Sequence, residues 1–314
     1  MVSRRDFLKI AGTACGTTAL SMAGVESARA SESHLDHDRF GVLADFTICV
    51  GCRRCEYACS KAHDLPFGEL DEYDDQAPME EMRRPTVDDL TVINAYTPPT
   101  GHTDPLTVKV NCMHCEKPNC VSACIVGALT KDPKGPVVYD AWKCIGCRYC
   151  MIACPFQIPA YEYEKPLTPK VVKCDLCAES TLGEEKGIPA CVEICPVDAL
   201  TFGKREDLLE MAHLRIRNDP DRYFHKVYGE VDGGGTSWLY LSDRDFSEVD
   251  LPELGETSAS EVTESIQHGI FRGFSGPAMV FGLMSVLVKS TGSIPPEKDL
   301  PASHENGHQG VDHE

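Results

Sequence analysis

Cysteine dominates the chemistry open to this chain. It has 314 residues and 17 cysteines, and sixteen of these fall into four groups of four. Group one is Cys49, Cys52, Cys55 and Cys59, spaced C-x2-C-x2-C-x3-C. Group two is Cys112, Cys115, Cys120 and Cys124, spaced C-x2-C-x4-C-x3-C. Group three, Cys144, Cys147, Cys150 and Cys154, repeats the first spacing and is followed by Pro155. Group four, Cys174, Cys177, Cys191 and Cys195, is spaced C-x2-C-x13-C-x3-C and followed by Pro196. Zinc sites also use C-x2-C pairs, two pairs to each ion, but they leave the last cysteine of C-x3-C-P without a role. Disulfides are favoured in exported proteins, yet cysteines two residues apart, repeated this regularly, are a poor disulfide framework. Iron–sulfur clusters use every one of them. Three thiolates from a tight loop cap three irons of a cube. The fourth, expected at the start of a helix and facing away, serves a second cluster. The modules then come in pairs, and four modules make two pairs. Gly51 and Gly146 supply the small residues that such loops need.

The segments between the groups must hold these loops. Residues 60–111 are a long insertion with an acidic run, Glu69 to Asp75, and a strand-like stretch, Thr91 to Tyr96. It is expected to fold over the cluster core or meet a partner, or to be a passive surface excursion. Val137-Val138-Tyr139 and Ala199-Leu200-Thr201-Phe202 read as short strands near the cluster loops. Arg205 to Arg217 reads as a helix with apolar positions Leu208, Leu209 and Leu214. Gly233-Gly234-Gly235 leads into the apolar run Trp238-Leu239-Tyr240-Leu241, typical of a strand. No Lys-Ser/Thr follows the glycines, so they are not a phosphate loop. There is no hydrolase or nucleophile motif. Arg53, Arg54, Arg148 and Lys173 lie beside cysteines, where they either raise cluster potentials or serve solubility.

The formal net charge is −19, which argues against nucleic acid and anionic lipid as partners. Arg4 and Arg5, an apolar stretch to Gly24 and Ala28-Arg29-Ala30 make a signal peptide with cleavage after Ala30. The paired arginines followed by Phe7-Leu8-Lys9 resemble the twin-arginine (Tat) signal. Cys15 falls inside this segment. Near the other end, Gly269 to Val288 carries one charge, Arg272, and is a marginal membrane span. Gly269 and Gly273 form a G-x-x-x-G spacing that permits close helix approach. The tail reads as disordered, with His304, His308 and His313 as solvated residues. The expected organisation is a signal at 1–30, a cluster-bearing domain at 31–265, a transmembrane helix at 266–290 and a tail at 291–314.

The four-group order, with C-x2-C-x13-C-x3-C last, resembles the four-cluster ferredoxin subunits of membrane-bound oxidoreductases. Further features resemble the HybA-type subunits of periplasm-facing nickel–iron hydrogenases. They are Cys112-Met113-His114-Cys115, Cys147-Arg148-Tyr149-Cys150-Met151, Gly187-Ile188-Pro189-Ala190-Cys191 and Tyr228-Gly229-Glu230. The resemblance implies an α+β fold with two pseudo-symmetric bacterial ferredoxin-like dicluster halves, insertions and a C-terminal membrane helix. It implies four [4Fe–4S] clusters. One would take Cys49, Cys52, Cys55 and Cys195, and its neighbour Cys174, Cys177, Cys191 and Cys59. The other pair would take Cys112, Cys115, Cys120 with Cys154, and Cys144, Cys147, Cys150 with Cys124. Cys59 and Cys124 depart from the pattern, being followed by Ser60 and Ile125 instead of proline. The implied role is non-catalytic electron transfer on the periplasmic side of the membrane. The implied partners are the hydrogenase large and small subunits and an NrfD/HybB-like integral membrane subunit. The alternative is the same role beside a molybdopterin subunit, and a structural zinc protein is the reading from another class. The Tat-like signal fits, because that route carries folded proteins and the clusters would travel already assembled.

Overall fold

The computed structural model describes residues 39–97, 105–165, 168–178 and 187–290. The expected signal peptide, Cys15 and the tail lie outside them. The fold is mixed α+β, and its first compact unit ends at Ser260.

A three-stranded sheet anchors that unit. Strand β1 (Phe40–Asp45) alternates Val42 and Ala44 on one face with Leu43 on the other. It lies between β8 (Leu200–Lys204), antiparallel with Ala44 opposite Leu200, and β9 (Trp238–Leu241), parallel with Val42 opposite Trp238. Helix α5 (Arg205–Asn218) covers one face, packing Leu208, Ala212 and Ile216 against Leu43, Leu239 and Leu241. That four-residue spacing is one helical stripe; Leu214, expected on it, is exposed because it falls off the stripe. The other face, with Val42, Ala44, Trp238 and Tyr240, joins the main core and meets the cysteine loops.

The insertion is part of this core. Its hairpin, β2 (Val92–Tyr96) with β3 (Leu106–Val110), contributes Val92, Leu106, Val108 and Val110. The acidic run forms an exposed 3₁₀ turn at Leu70–Asp74. Two smaller hairpins frame the middle modules: β4 (Leu129–Lys131) with β5 (Val137–Tyr139), and β6 (Ala160–Tyr161) with β7 (Val171–Val172).

A short helix follows each cysteine loop: α1 (Arg54–Ala62), α2 (Asn119–Ser122), α3 (Tyr149–Ala153) and α4 (Ala190–Glu193). Contrary to expectation, the fourth cysteine of each group does not sit at a helix start. Cys124, Cys154 and Cys195 lie just past the helix end, and Cys59 lies inside α1. Pro155 and Pro196 follow the fourth cysteines of groups three and four and disfavour helical backbone at those cysteines. After Cys59 there is no proline, and α1 runs on to Ala62.

The Tyr228-Gly229-Glu230 turn fastens β9 to the core. Gly229 has φ +91°, and a Cβ there would lie 2.3 Å from Thr236 Oγ1 and 2.4 Å from the Trp238 carbonyl oxygen. Left-handed backbone costs a side-chain-bearing residue about 1–2 kcal/mol before any clash. Gly229→Ala is therefore expected to destabilise the protein by at least ~2 kcal/mol, lowering Tm by roughly 4–8 °C for a domain of this size. A calorimetric scan of the anaerobic protein measures it.

The C-terminal segment forms one helix, α6 (Ala259–Ser290), with Pro277 inside it. Among the described residues, no helix is long and apolar enough to cross a membrane, which corrects the expected span. The helix opens with Glu261 and Glu264. Its run clear of charge, Gly273 to Val288, falls short of the roughly twenty apolar residues a crossing requires.

Candidate metal centres

All sixteen cysteines of the four groups are free thiols in the described structure. Each loop has a left-handed residue at the second position between its first two cysteines. In groups one and three this is Gly51 (φ +69°) and Gly146 (φ +72°). In groups two and four it is His114 (φ +47°) and Leu176 (φ +61°), side chains that hold an unfavourable backbone because each is buried in the core. The turn aims a backbone N–H at the first sulfur. Gly146 N donates to Cys144 Sγ at 3.4 Å and Leu176 N to Cys174 Sγ at 3.4 Å. Arg53 and Arg148, also left-handed, then start α1 and α3.

Strand pairing decides which loops meet. Cys49 follows β1 and Cys195 precedes β8, so their antiparallel register brings both to one end of the sheet. A cavity there is lined by Cys49, Cys52, Cys55 and Cys195. Packing of α1 on α4 sets Cys59 beside group four. A second cavity is lined by Cys59, Cys174, Cys177 and Cys191. In the β4–β5 hairpin Leu129 faces Tyr139, which sets Cys124, before it, and Cys144, after it, at the same end. Both pack against the core cluster holding Cys150. Packing of α2 on α3 brings group two to Cys154, whose charge, with those of Cys112 and Cys120, acts on Cys115. Two quartets line cavities, and packing and charge draw the remaining eight cysteines towards two more. The first is Cys49, Cys52, Cys55 and Cys195; the second is Cys59, Cys174, Cys177 and Cys191. The third is Cys112, Cys115, Cys120 and Cys154; the fourth is Cys124, Cys144, Cys147 and Cys150.

The donor chemistry fits an iron–sulfur group. Burial pushes the thiols of Cys120 and Cys191 up to about 12 and that of Cys150 up to about 11. Burial also holds Cys55, Cys115 and Cys174 well above the ordinary thiol range. Such groups ionise only when a cation compensates them. Cys124 is shifted the other way. Its burial is slight, and backbone N–H groups of Leu129, Ala128, Val126 and Gly127 outweigh it and lower its pKa. Two orphaned donors point the same way. Trp238, whose Nε1 is buried without a partner among the described residues, lines the second cavity. His114 accepts from Val137 N at its Nδ1, 2.8 Å away, so its proton sits on Nε2, also buried without a partner. An anionic group bound in these loops supplies acceptors that the protein lacks.

Charged residues beside the quartets were only partly visible in the sequence. Lys173 is buried and donates to the carbonyl oxygens of Val137 and Cys174. Arg53 is spent on Glu56 and the Asp75 carbonyl, and Arg148 lies over Tyr161 and Tyr163. Sequence reasoning missed His63, which bridges Cys59 and Asp175. Its Nδ1 donates to the Cys59 carbonyl and its Nε2 to Asp175 Oδ1, each at 2.8 Å. Both nitrogens donate, so the ring is an imidazolium. The Asp175 bond first, then Cys59, push it up to about 11. His63, Asp175 and Cys177 present ligand atoms within 4.8 Å of one another, but with both ring nitrogens donating, His63 has no lone pair for a metal. Lys109 was missed as well. It is 3% exposed, lines both the first and second cavities, and lies under Trp238. Burial opposes its charge, but the thiolates of Cys55, Cys191, Cys59 and Cys174 outweigh burial and raise its pKa above the usual lysine range.

Residues 105–205 match the family described as 4Fe-4S dicluster domain. Over its whole length the chain is 35% identical to the hydrogenase-2 operon protein HybA of Escherichia coli O157:H7, in an alignment 349 positions long that covers 100% of both. The chain belongs to the HybA-type family of iron–sulfur subunits. The nitrate-inducible formate dehydrogenase iron-sulfur subunit of Escherichia coli K12 is 31% identical over 278 residues, 85% of this chain and 89% of that one. The thiosulfate reductase electron transfer subunit PhsB of Salmonella typhi is 37% identical over 175 residues, 56% of this chain and 80% of its own. These HybA-type and related proteins are electron-transfer subunits of oxidoreductase complexes, not catalytic ones, and this chain is one of them.

Proposed function

We propose that this subunit holds four [4Fe–4S] clusters in a single line. Through them it would relay electrons between a nickel–iron hydrogenase and an NrfD/HybB-like membrane subunit. What supports the reading is that the quartets adjoin one another in succession. Cys55 of the first feels the charge of Cys191 of the second. Cys174 of the second feels Cys112 of the third, and Cys120 of the third feels Cys150 of the fourth. Each cluster, when bound, supplies a one-electron site whose potential depends on hydrogen bonds, charge and exposure. The chain's part is to fix the order, to aim backbone N–H groups at the sulfurs and to exclude water with Trp238, Tyr240 and the β2–β3 hairpin. The hydrogenase partner rests on HybA, a relative aligned along the full chain. A molybdopterin partner is the second reading, favoured by the formate dehydrogenase subunit's likeness over most of the chain. Arg4-Arg5 with Phe7-Leu8-Lys9 supports export by the twin-arginine route to the periplasmic face.

Anaerobically purified protein is expected to be brown and to contain about sixteen irons, four for each of four cubanes. Colourless, zinc-loaded protein would sink the reading. Metal analysis of the complex captured from membranes through this subunit is expected to give nickel; molybdenum in its place selects the second partner.

A further inference from the structure

Lys109 is buried without a carboxylate partner among the described residues. Its ammonium has three N–H groups. One hydroxyl, Thr91 Oγ1, accepts from it, and its other close neighbour is the Trp238 ring, 5.6 Å away at the centroid. The half-buried Lys131 is provided for differently, with Glu116 Oε1 at 3.3 Å and several carbonyl oxygens. Burying an unpaired ammonium is strongly unfavourable, and β3 had room for an apolar residue there, between Val108 and Val110. What Lys109 does face is cysteine. It lines the cavity of Cys49, Cys52, Cys55 and Cys195 and also that of Cys59, Cys174, Cys177 and Cys191. The Tyr240 hydroxyl fixes its backbone by donating to its carbonyl oxygen at 3.1 Å.

We propose that Lys109 is a shared counter-ion for the clusters of the first and second quartets, positioned to raise both reduction potentials together. This rests on the four-cluster reading above. Reduction adds one negative charge to a cluster, and a fixed cation within the same low-dielectric region favours that state. Standing between two clusters, the same charge acts on both and shifts their potentials in the same direction.

The test replaces Lys109 by methionine, of similar length and neutral, and by arginine, which keeps the charge. Wild type and both variants are purified as the full chain, assayed for iron and titrated potentiometrically with EPR detection. In Lys109→Met two of the four clusters are expected to become at least tenfold harder to reduce, about 59 mV for a one-electron couple. The other two should not move, and Lys109→Arg should keep the wild-type potentials. Unmoved potentials at full iron, or a shift confined to one cluster, would overturn the proposal. If Lys109→Met loses iron, retention of iron by Lys109→Arg supports the counter-ion role, and equal loss in both variants assigns Lys109 to packing and overturns it. Wild-type iron content tests the four-cluster reading separately. Iron-free wild type sinks both, whereas full iron with unmoved potentials sinks only the role of Lys109.

Discussion

Glu56→Ala is expected to destabilise the protein by about 3–5 kcal/mol, the range for breaking a buried ion pair from one side. Glu56 lies in α1 between Cys55 and Cys59 and is 2% exposed. Its Oε1 accepts from Arg83 Nη2 at 2.6 Å and from the Ile93 backbone N–H at 2.5 Å, and its Oε2 accepts from Arg53 Nε at 3.0 Å. One carboxylate thus ties α1 to both the insertion loop and β2. Alanine leaves two guanidinium groups and a strand N–H without their acceptor. For a domain of this size the loss corresponds to a Tm fall of roughly 6–20 °C. Glu56→Gln should cost less, since one acceptor remains for Ile93. A double-mutant cycle with Arg83→Met is expected to show coupling of about 1–3 kcal/mol, because the two side chains share one interaction. Unchanged Tm in Glu56→Ala would mean that the insertion is held by its apolar hairpin alone.

The same residue shows where sequence reading stopped. The cysteine groups were legible because a tight loop encodes itself in local spacing. So were β5, β8, β9 and α5, each a local apolar run or stripe. Two of the four loop conformations were not legible. Glycine marks the left-handed position in groups one and three, but His114 and Leu176 hold it in the other two, stabilised by burial that only the tertiary fold provides. In Leu106-Thr107-Val108-Lys109-Val110, alternation assigns Thr107 and Lys109 to solvent. That face is buried because cysteine loops from distant parts of the chain close over it. Glu56 and His63 read as ordinary surface residues of a helix, and their partners lie in the insertion and in group four. The C-terminal helix was legible as a helix. Its expected crossing of the membrane was not borne out, because the apolar stretch between Arg272 and Lys289 is too short.

Removing single cysteines is expected to give the largest effects, and their pattern tests the quartets directly. If each group held its own cluster, Cys55→Ala and Cys59→Ala would damage the same cluster, since both lie in group one. The structure separates them. Cys55 lines the cavity with Cys49, Cys52 and Cys195, and Cys59, one helical turn on, lines the other with Cys174, Cys177 and Cys191. The separation follows from helix geometry: four residues along α1 carry the side chain one turn, about 6 Å, down the axis. Packing of α1 on α4 supplies Cys191 and Cys195 in the same way from the opposite side. Cys59→Ala and Cys177→Ala are therefore expected to abolish or alter one and the same EPR signal. Cys55→Ala and Cys195→Ala should alter a different one in common. Each variant that loses its cluster outright should fall from about sixteen irons to about twelve. Were Cys59→Ala and Cys55→Ala to change the same signal, the crossed assignment would fail, and with it the basis for placing Lys109 between two clusters. The crossed wiring also has a folding consequence. Neither of these two clusters can have its full ligand set until residues 49–59 meet residues 174–195, so both should form only once β1 has paired with β8.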